Sequence, residues 1–216
     1  LLNNLEWFRK RNEKQSNLEA PIIRKPFFCS GCPHNSSLKV PEGKRALGGI
    51  GCHYMAVDSI ESTEFFTQMG GEGTPWIGIA PFSHEKHVFA NLGDGTYKHS
   101  GILAIRASLD ANVNITYKIL YNDAVAMTGG QEIGSNWDVE GIVKQVLAEG
   151  VKKVSILSED PKRYNQLVNN EVKSLHRDAI ITEQEELSQY EGVSVLIFDQ
   201  TCAAEKRRRR KRGLME

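Results

Sequence analysis

Asp94 stands between two glycines, Gly93 and Gly95, at the end of the apolar run HVFANL (87–92). Asn122 stands at the end of a second run, NITYKILY (114–121). If these runs are neighbouring strands, a carboxylate and an amide oxygen arrive at one rim of a sheet. At a switch point in strand order, such a rim is where open α/β sheets bind ligands. Two oxygens are too few to cage a cation alone. They suit Mg²⁺, which takes one or two protein carboxylates and completes its octahedron with phosphate oxygens and water. Gly93 and Gly95 let the backbone turn tightly and approach a ligand. A helix beginning near His99 aims free N–H groups and a positive dipole end at the same spot. Gly-Asp-Gly alone reads better as a tight turn with a capping Asp; with Asn122 and the Gly-rich MTGGQ (127–131), the balance reverses and the spacing predicts a Mg²⁺–diphosphate site.

The second chemical group is sulfur. The chain has four cysteines, Cys29, Cys32, Cys52 and Cys202. No secretory signal precedes them, so a disulfide framework is the weaker reading, and Cys29-x-x-Cys32 points to metal, cluster or redox chemistry. Thiolates suit iron–sulfur clusters and tetrahedral zinc alike. The spacing is not a compact ferredoxin run, so any four-cysteine site must converge through the fold. Spacing alone leaves cluster, zinc and plain buried thiols open.

These residues need a scaffold. Short apolar, β-rich runs recur at 87–92, 114–121, 151–157 and 193–198, with helix-period segments at 99–112, 138–150 and 160–176 between them. Asp160-Pro161 is a helix start and Gly150 a helix stop. Near-continuous apolar strands alternating with helices predict an α/β, three-layer, doubly wound and mainly parallel sheet. Residues 58–86, long, Gly-rich and holding Pro75 and Trp76, predict a loop-rich excursion near the site. Residues 1–25 read as an N-terminal arm, with Leu1, Leu2, Leu5 and Phe8 on one helical face, and a linker ending at Pro21 and Pro26. The main domain spans 26–200, and 201–216 hold Cys202 and a basic tail.

At 216 residues, 40% apolar and 25% charged, the composition is that of an ordinary globular domain. Zero formal net charge argues against a nucleic-acid partner. No apolar stretch is long enough to span a membrane, which makes the expected compartment cytoplasmic. The basic run at 206–212 reads as a solvated linker. The chain begins on Leu-Leu and stops just after that run, so it is read as a piece of a longer protein.

GDG followed by Asn122 resembles the thiamine diphosphate motif. GDGTYKHSG, AMTGGQ, CSGCPHN and GGEGTPWIGIAPF resemble the thiamine-binding part of 2-oxoacid:ferredoxin oxidoreductases, the long fused indolepyruvate ferredoxin oxidoreductases in particular. The resemblance runs from about Lys25 to the C-terminus. It implies Mg²⁺ ligation by Asp94, Asn122 and the Ala124 carbonyl, and cofactor contacts from Gly51, Cys52, His53, Gly93, Gly95, Thr96 and Thr128. It implies a [4Fe–4S] cluster on Cys29, Cys32, Cys52 and Cys202. The implied reaction is oxidative decarboxylation of a 2-oxoacid with coenzyme A, electrons passing to ferredoxin. It also implies absent pyrimidine-binding and iron–sulfur domains, an activating glutamate on one of them, and a dimeric whole enzyme. Against it stand a non-oxidative thiamine-dependent decarboxylase or synthase with a structural zinc, and an inactive α/β interaction module.

Lesser candidates remain. Pro33-His34 departs from the Gly common in relatives, and His34 is read as making a surface hydrogen bond. His53, His84, His87 and His99 fall near the predicted site. Met69, Gly70 and Gly71 are candidates to line the cofactor or to form a plain turn.

Overall fold

The structure, a computed structural model, describes residues 2–16, 25–60, 62–131, 134 and 138–215. Seven strands form one sheet: β1 (Ala46–Gly48), β2 (Thr63–Phe66), β3 (Val88–Gly93), β4 (Ile115–Tyr121), β5 (Val154–Ser158), β6 (Val172–His176) and β7 (Val193–Asp199). Their order is β2-β1-β3-β4-β7-β5-β6, and every pairing is parallel. The helices are α1 (Leu2–Ser16), α2 (His34–Ser37), α3 (Ala56–Ser59), α4 (Thr74–Ile79), α5 (Asp94–Thr96), α6 (Ile102–Asp110), α7 (Val139–Ala148), α8 (Ile180–Ser188) and α9 (Ala203–Lys211).

Strands β3, β4, β5 and β7 are buried almost throughout, because both faces of the sheet are covered. On one face α4, α6 and α7 pack Trp76, Ile105, Ile142 and Val146 against Leu92, Ile119, Ile156 and Ile197. On the other, α2, α3 and α8 bring Leu38, Ala56 and Leu187 to Leu120, Leu157 and Phe198. Helix α7 starts where the Asp138 carboxylate accepts the Gly141 N–H at 2.8 Å. It stops at Gly150, whose φ of 110° only glycine adopts freely.

Several expectations are corrected. Residues 160–176 are not one helix but a tight helical turn (Pro161–Leu167) followed by the edge strand β6. The Asn169 side chain accepts the N–H groups of Glu171 and Val172 and so turns the chain. The excursion at 58–86 contains strand β2 and helix α4. The helix expected near His99 begins at Asp94 itself and runs through a wide turn (Tyr97–Gly101) into α6. The arm is helical, with Leu5 and Phe8 exposed on α1; Pro21 lies outside the described residues.

The sheet places the ligand crevice. From β1 the chain moves outward to β2, whereas from β3 it moves the other way to β4. The switch therefore lies between β1 and β3, one strand over from the β3–β4 pair that carries Asp94 and Asn122. The loops after β1 and β3 form its two walls.

Candidate functional site

Asp94 is buried at the carboxyl end of β3, and neighbouring β4 delivers Asn122 beside it. Oδ2 of Asp94 accepts the backbone N–H groups of Asn122 at 2.7 Å and Asp123 at 3.0 Å, while Oδ1 accepts that of Gly95 at 2.8 Å. Asp123 holds a φ of 60°, which turns the chain back over the carboxylate. Burial pushes the Asp94 carboxyl up to about 6, those N–H groups pull it down, and Asp123 repels it. Among the described residues no lysine or arginine pairs with it. The Asn122 amide oxygen accepts the N–H of Ala124 at 3.2 Å, and Ala124 is buried alongside. A carboxylate, an amide oxygen and a carbonyl are hard oxygen donors, and a buried carboxylate held only by neutral N–H groups is relieved by a divalent cation. The residues fit Mg²⁺.

The β1 wall is built on glycine. A Cβ on Gly49 would lie 2.5 Å from Glu72 Cγ, 2.9 Å from the Asn91 carbonyl and 3.0 Å from His53 Nε2. Gly51 has a φ of 145° and faces the His53 ring. The Thr96 hydroxyl reaches from the β3 wall to the Ile50 carbonyl at 3.4 Å. His53 is fully buried, and burial, with His34 adding, pushes it down to about 3, so its imidazole is neutral. Sequence reasoning missed Glu72. It is fully buried, accepts the Gly70 N–H at 2.8 Å, and its carboxyl is pushed up by burial. Its Oε1, the His53 Nε2 and both Asn91 amide atoms lack hydrogen-bond partners among the described residues. The signal was present: Glu72 lies between Gly71 and Gly73, the same acid-between-glycines pattern as Asp94.

The four cysteines converge. Cys29, Cys32, Cys52 and Cys202 line one cavity of about 70 Å³, whose wall also includes His34 and Asn122. All are free thiols. Burial pushes the Cys52 thiol up to about 11, with Cys202, Cys32 and Cys29 adding to it, and Cys32 is raised likewise. The neighbouring cysteines disfavour the Cys32 and Cys52 thiolates, a conflict that a metal bound by the set resolves. Among the described residues no three His, Cys, Asp or Glu side chains close on a single ion. Zinc needs its four sulfurs within about 2.3 Å of one point, whereas a four-iron cubane carries iron at separate corners and holds its cysteines wider. Four thiols on one cavity suit a thiolate-held metal group, cluster or zinc alike.

One hydrogen bond joins the two centres: the Cys202 N–H donates to the Asn122 carbonyl at 3.3 Å. The basic run, expected to be a solvated linker, is helix α9 laid along the rim. Arg207 donates to the Ser30 carbonyl at 3.0 Å, Arg208 to that of Gly129 at 2.8 Å, and Arg209 to the Asp123 carboxylate at 2.8 Å. The helix is held because it begins at Cys202 and finds acceptors that the turns at Ser30 and Gly129 expose.

Other candidates fall less close. His34 is buried, not a surface residue, with Nδ1 3.4 Å from the Ser37 hydroxyl. His87 sits at the opposite, amino end of β3 on the Thr116 hydroxyl, and His84 and His99 are exposed. Thr128 is exposed and bonds Gln131 at 2.6 Å. Met69 is exposed, and Gly70 serves the Glu72 turn.

Residues 49–169 match the family described as thiamine pyrophosphate enzyme, C-terminal TPP binding domain. The chain is 26% identical to an indolepyruvate oxidoreductase subunit IorA of Thermococcus kodakarensis over 95% of its length, covering 33% of that protein. It is 28% identical to the Archaeoglobus fulgidus subunit of the same name over 83% of its length, covering 29% of it. The chain thus spans about a third of these relatives. Among solved structures, a 2-oxoglutarate:ferredoxin oxidoreductase from Magnetococcus marinus superimposes with a TM-score of 0.61 at 20% identity, over 82% of this chain and 65% of that one. A benzoylformate decarboxylase from Polynucleobacter necessarius gives 0.52 at 16%, over 74% and 30%. These likenesses carry the fold; the family match covers more than half of the chain, crossing the β1 wall, Asp94 and Asn122, and the chain belongs to the thiamine diphosphate-binding domain family of thiamine enzymes.

Proposed function

We propose that this chain is the diphosphate-binding part of an indolepyruvate-type 2-oxoacid:ferredoxin oxidoreductase. One observation carries the reading beyond the family: Asn122 gives its N–H to Asp94 and its carbonyl to Cys202, so a metal site and a four-thiol cavity share one residue. An electron acceptor within a few residues of a thiamine site is what an oxidative decarboxylase needs and a non-oxidative one does not. The indolepyruvate relatives and the ferredoxin-linked neighbour support the same class.

In this reading Asp94, Asn122 and the Ala124 carbonyl hold Mg²⁺, and the diphosphate lies in the crevice between the Gly49–Gly51 and Gly93–Gly95 walls. Thiamine diphosphate supplies the carbanion-stabilising chemistry for releasing CO₂ from a 2-oxoacid. Cys29, Cys32, Cys52 and Cys202 would hold a [4Fe–4S] cluster, which would supply the one-electron acceptor chemistry of a ferredoxin-linked reaction whose acyl acceptor is coenzyme A. Neutral His53, packed on Gly51 and Gly93, keeps the crevice floor uncharged beneath the diphosphate. The activating glutamate belongs to another domain of the whole, dimeric enzyme, and this chain by itself is inactive.

The test is iron and acid-labile sulfide per chain after anaerobic reconstitution, with Mg²⁺–thiamine diphosphate titrated into the same sample. About four of each, lost in Cys202→Ser, is the expected result. Zinc with thiamine binding intact would turn the reading to a non-oxidative decarboxylase or synthase. Neither metal nor thiamine would leave an α/β interaction module.

A further inference from the structure

Lys118 lies in the middle of β4 with no exposed surface. In register it is flanked by Asn91 on β3 and Leu196 on β7. Its Nζ donates to the Lys39 carbonyl at 3.0 Å, and sits 5.7 Å and 5.6 Å from the ring centres of Phe89 and Phe198. Burial pushes its ammonium well below the ordinary lysine value, and among the described residues no carboxylate acts to restore it. Glu183, buried under α8 two strands away, is held by the Ser155 hydroxyl at 2.6 Å.

An unpaired ammonium is among the costliest groups a core can hold. A methionine would fill the slot between the two phenylalanine rings without that cost. Two aromatic faces and one carbonyl soften the penalty but supply no opposite charge. The missing charge lies next door. Lys118 Nζ donates to the Lys39 carbonyl just past helix α2, whose first residue, His34, is a wall of the cysteine cavity. Phe198, under the ammonium, packs in the cluster that Phe28, another wall, joins. Asn122, a further wall, lies just past the end of the strand that carries Lys118. Among the described residues no lysine or arginine lines that cavity. Four thiolates on a metal core carry net negative charge, whether the core is a cubane or a single ion.

We propose that Lys118 is the buried counter-charge of the metal–thiolate group held by Cys29, Cys32, Cys52 and Cys202, and that it raises the reduction potential of that group. This rests on reading the cavity as a metal site. Lys118 touches none of the four cysteines and acts through the field across His34. A positive charge in a poorly screened interior favours the reduced, more negative state of the group.

The experiment compares wild type, Lys118→Met and Lys118→Arg, each reconstituted anaerobically and assayed for iron and sulfide. Unfolding midpoints are measured with and without the metal group, and a redox titration is followed by electron paramagnetic resonance. Without metal, Lys118→Met is expected to unfold at a higher temperature than wild type. Metal loading is expected to raise its midpoint less than it raises that of wild type. Its potential is expected to fall by about tenfold in the oxidised-to-reduced ratio, 59 mV for one electron. Lys118→Arg stays near wild type. A folded Lys118→Met that loses iron while Lys118→Arg keeps it supports the same conclusion. A fully loaded Lys118→Met with unchanged potential and the same metal-induced stabilisation as wild type overturns it, as does equal iron loss in both variants. A wild-type chain that takes up no metal removes the cavity reading itself, a separate failure visible before either variant is made.

Discussion

The backbone N–H of Asn122 donates to the Asp94 carboxylate at 2.7 Å, from the end of β4 to the end of β3. A candidate ligand residue at the end of one strand is thus fixed by a candidate ligand residue at the end of the next, and neither can move without the other. Replacing Asp94 with alanine strands the N–H groups of Gly95, Asn122 and Asp123 together. Each buried donor left alone costs about 1–3 kcal/mol. We expect Asp94→Ala to lower stability by roughly 3 kcal/mol or more and to abolish Mg²⁺-dependent thiamine diphosphate binding in calorimetry. Unchanged affinity in a folded variant would sink the site assignment.

The same carboxyl sets a pH dependence. Its folded value, about 6, lies above the ordinary 3.8. A raised acid binds its proton more tightly when folded, so its contribution to stability is present below pH 3.8 and lost as pH rises through about 6. Without Mg²⁺, the unfolding midpoint should therefore lose an Asp94-dependent increment across that window, an increment missing in Asp94→Asn. Mg²⁺ affinity should rise over the same window, since the ion needs the carboxylate. Midpoints that show no difference between wild type and Asp94→Asn would contradict both statements.

Gly49 and Gly78 make a matched pair. A methyl on Gly49 meets Glu72, the Asn91 carbonyl and His53 within 3.0 Å, two of them side chains already locked by burial. Gly49→Ala should cost about 1–3 kcal/mol or more and weaken thiamine diphosphate binding. A methyl on Gly78, within α4, meets nothing within 4 Å. Gly78→Ala should stabilise by about 0.5–1 kcal/mol through helix propensity. Equal midpoints for the two variants would show that the β1 wall is looser than its contacts require.

Helix α9 depends on Gly130. Its φ of 81° is left-handed, and a Cβ there would collide with the Glu205 carboxylate and the Arg208 guanidinium, which pair with each other. Gly130→Ala should lift α9 and expose its basic residues to trypsin. Limited proteolysis should cleave within 206–212 at least tenfold faster than in wild type. Protection equal to wild type would mean that Arg207 and Arg209 hold the helix without Arg208.

Much of this architecture was legible because the strands are buried on both faces. The runs ending at Leu92, Tyr121, Leu157 and Phe198 are more than half apolar, and each is a strand. Asp94, Asn122 and the four cysteines were legible because their residue types and placement at strand ends or in loops have few other uses. What could not be read depends on tertiary pairing. Strand β6 carries Val172, Lys173, Ser174, Leu175 and His176, whose alternation is too short to outweigh the helix-like segment before it, and it is a strand because β5 offers an edge. Strands β1 and β2 are only three and four residues long. Glu72 and Lys118 become conspicuous only through burial, which no local pattern encodes. Helix α9 looked like a tail because its acceptors, at Ser30, Asp123 and Gly129, lie far away in sequence.

Strand β7 is the last to be synthesised, yet it lies between β4 and β5. Until it slides into that gap, the two halves of the sheet share no strand, and Cys202, just beyond its end, has no fixed address. The first three cysteines can meet early, but the fourth arrives only with the strand that completes the core. The closing of the sulfur cavity therefore reports that this sheet is complete. A chain whose sheet is only half threaded presents an incomplete set of thiols, so the cavity as a whole exists only in the folded sheet.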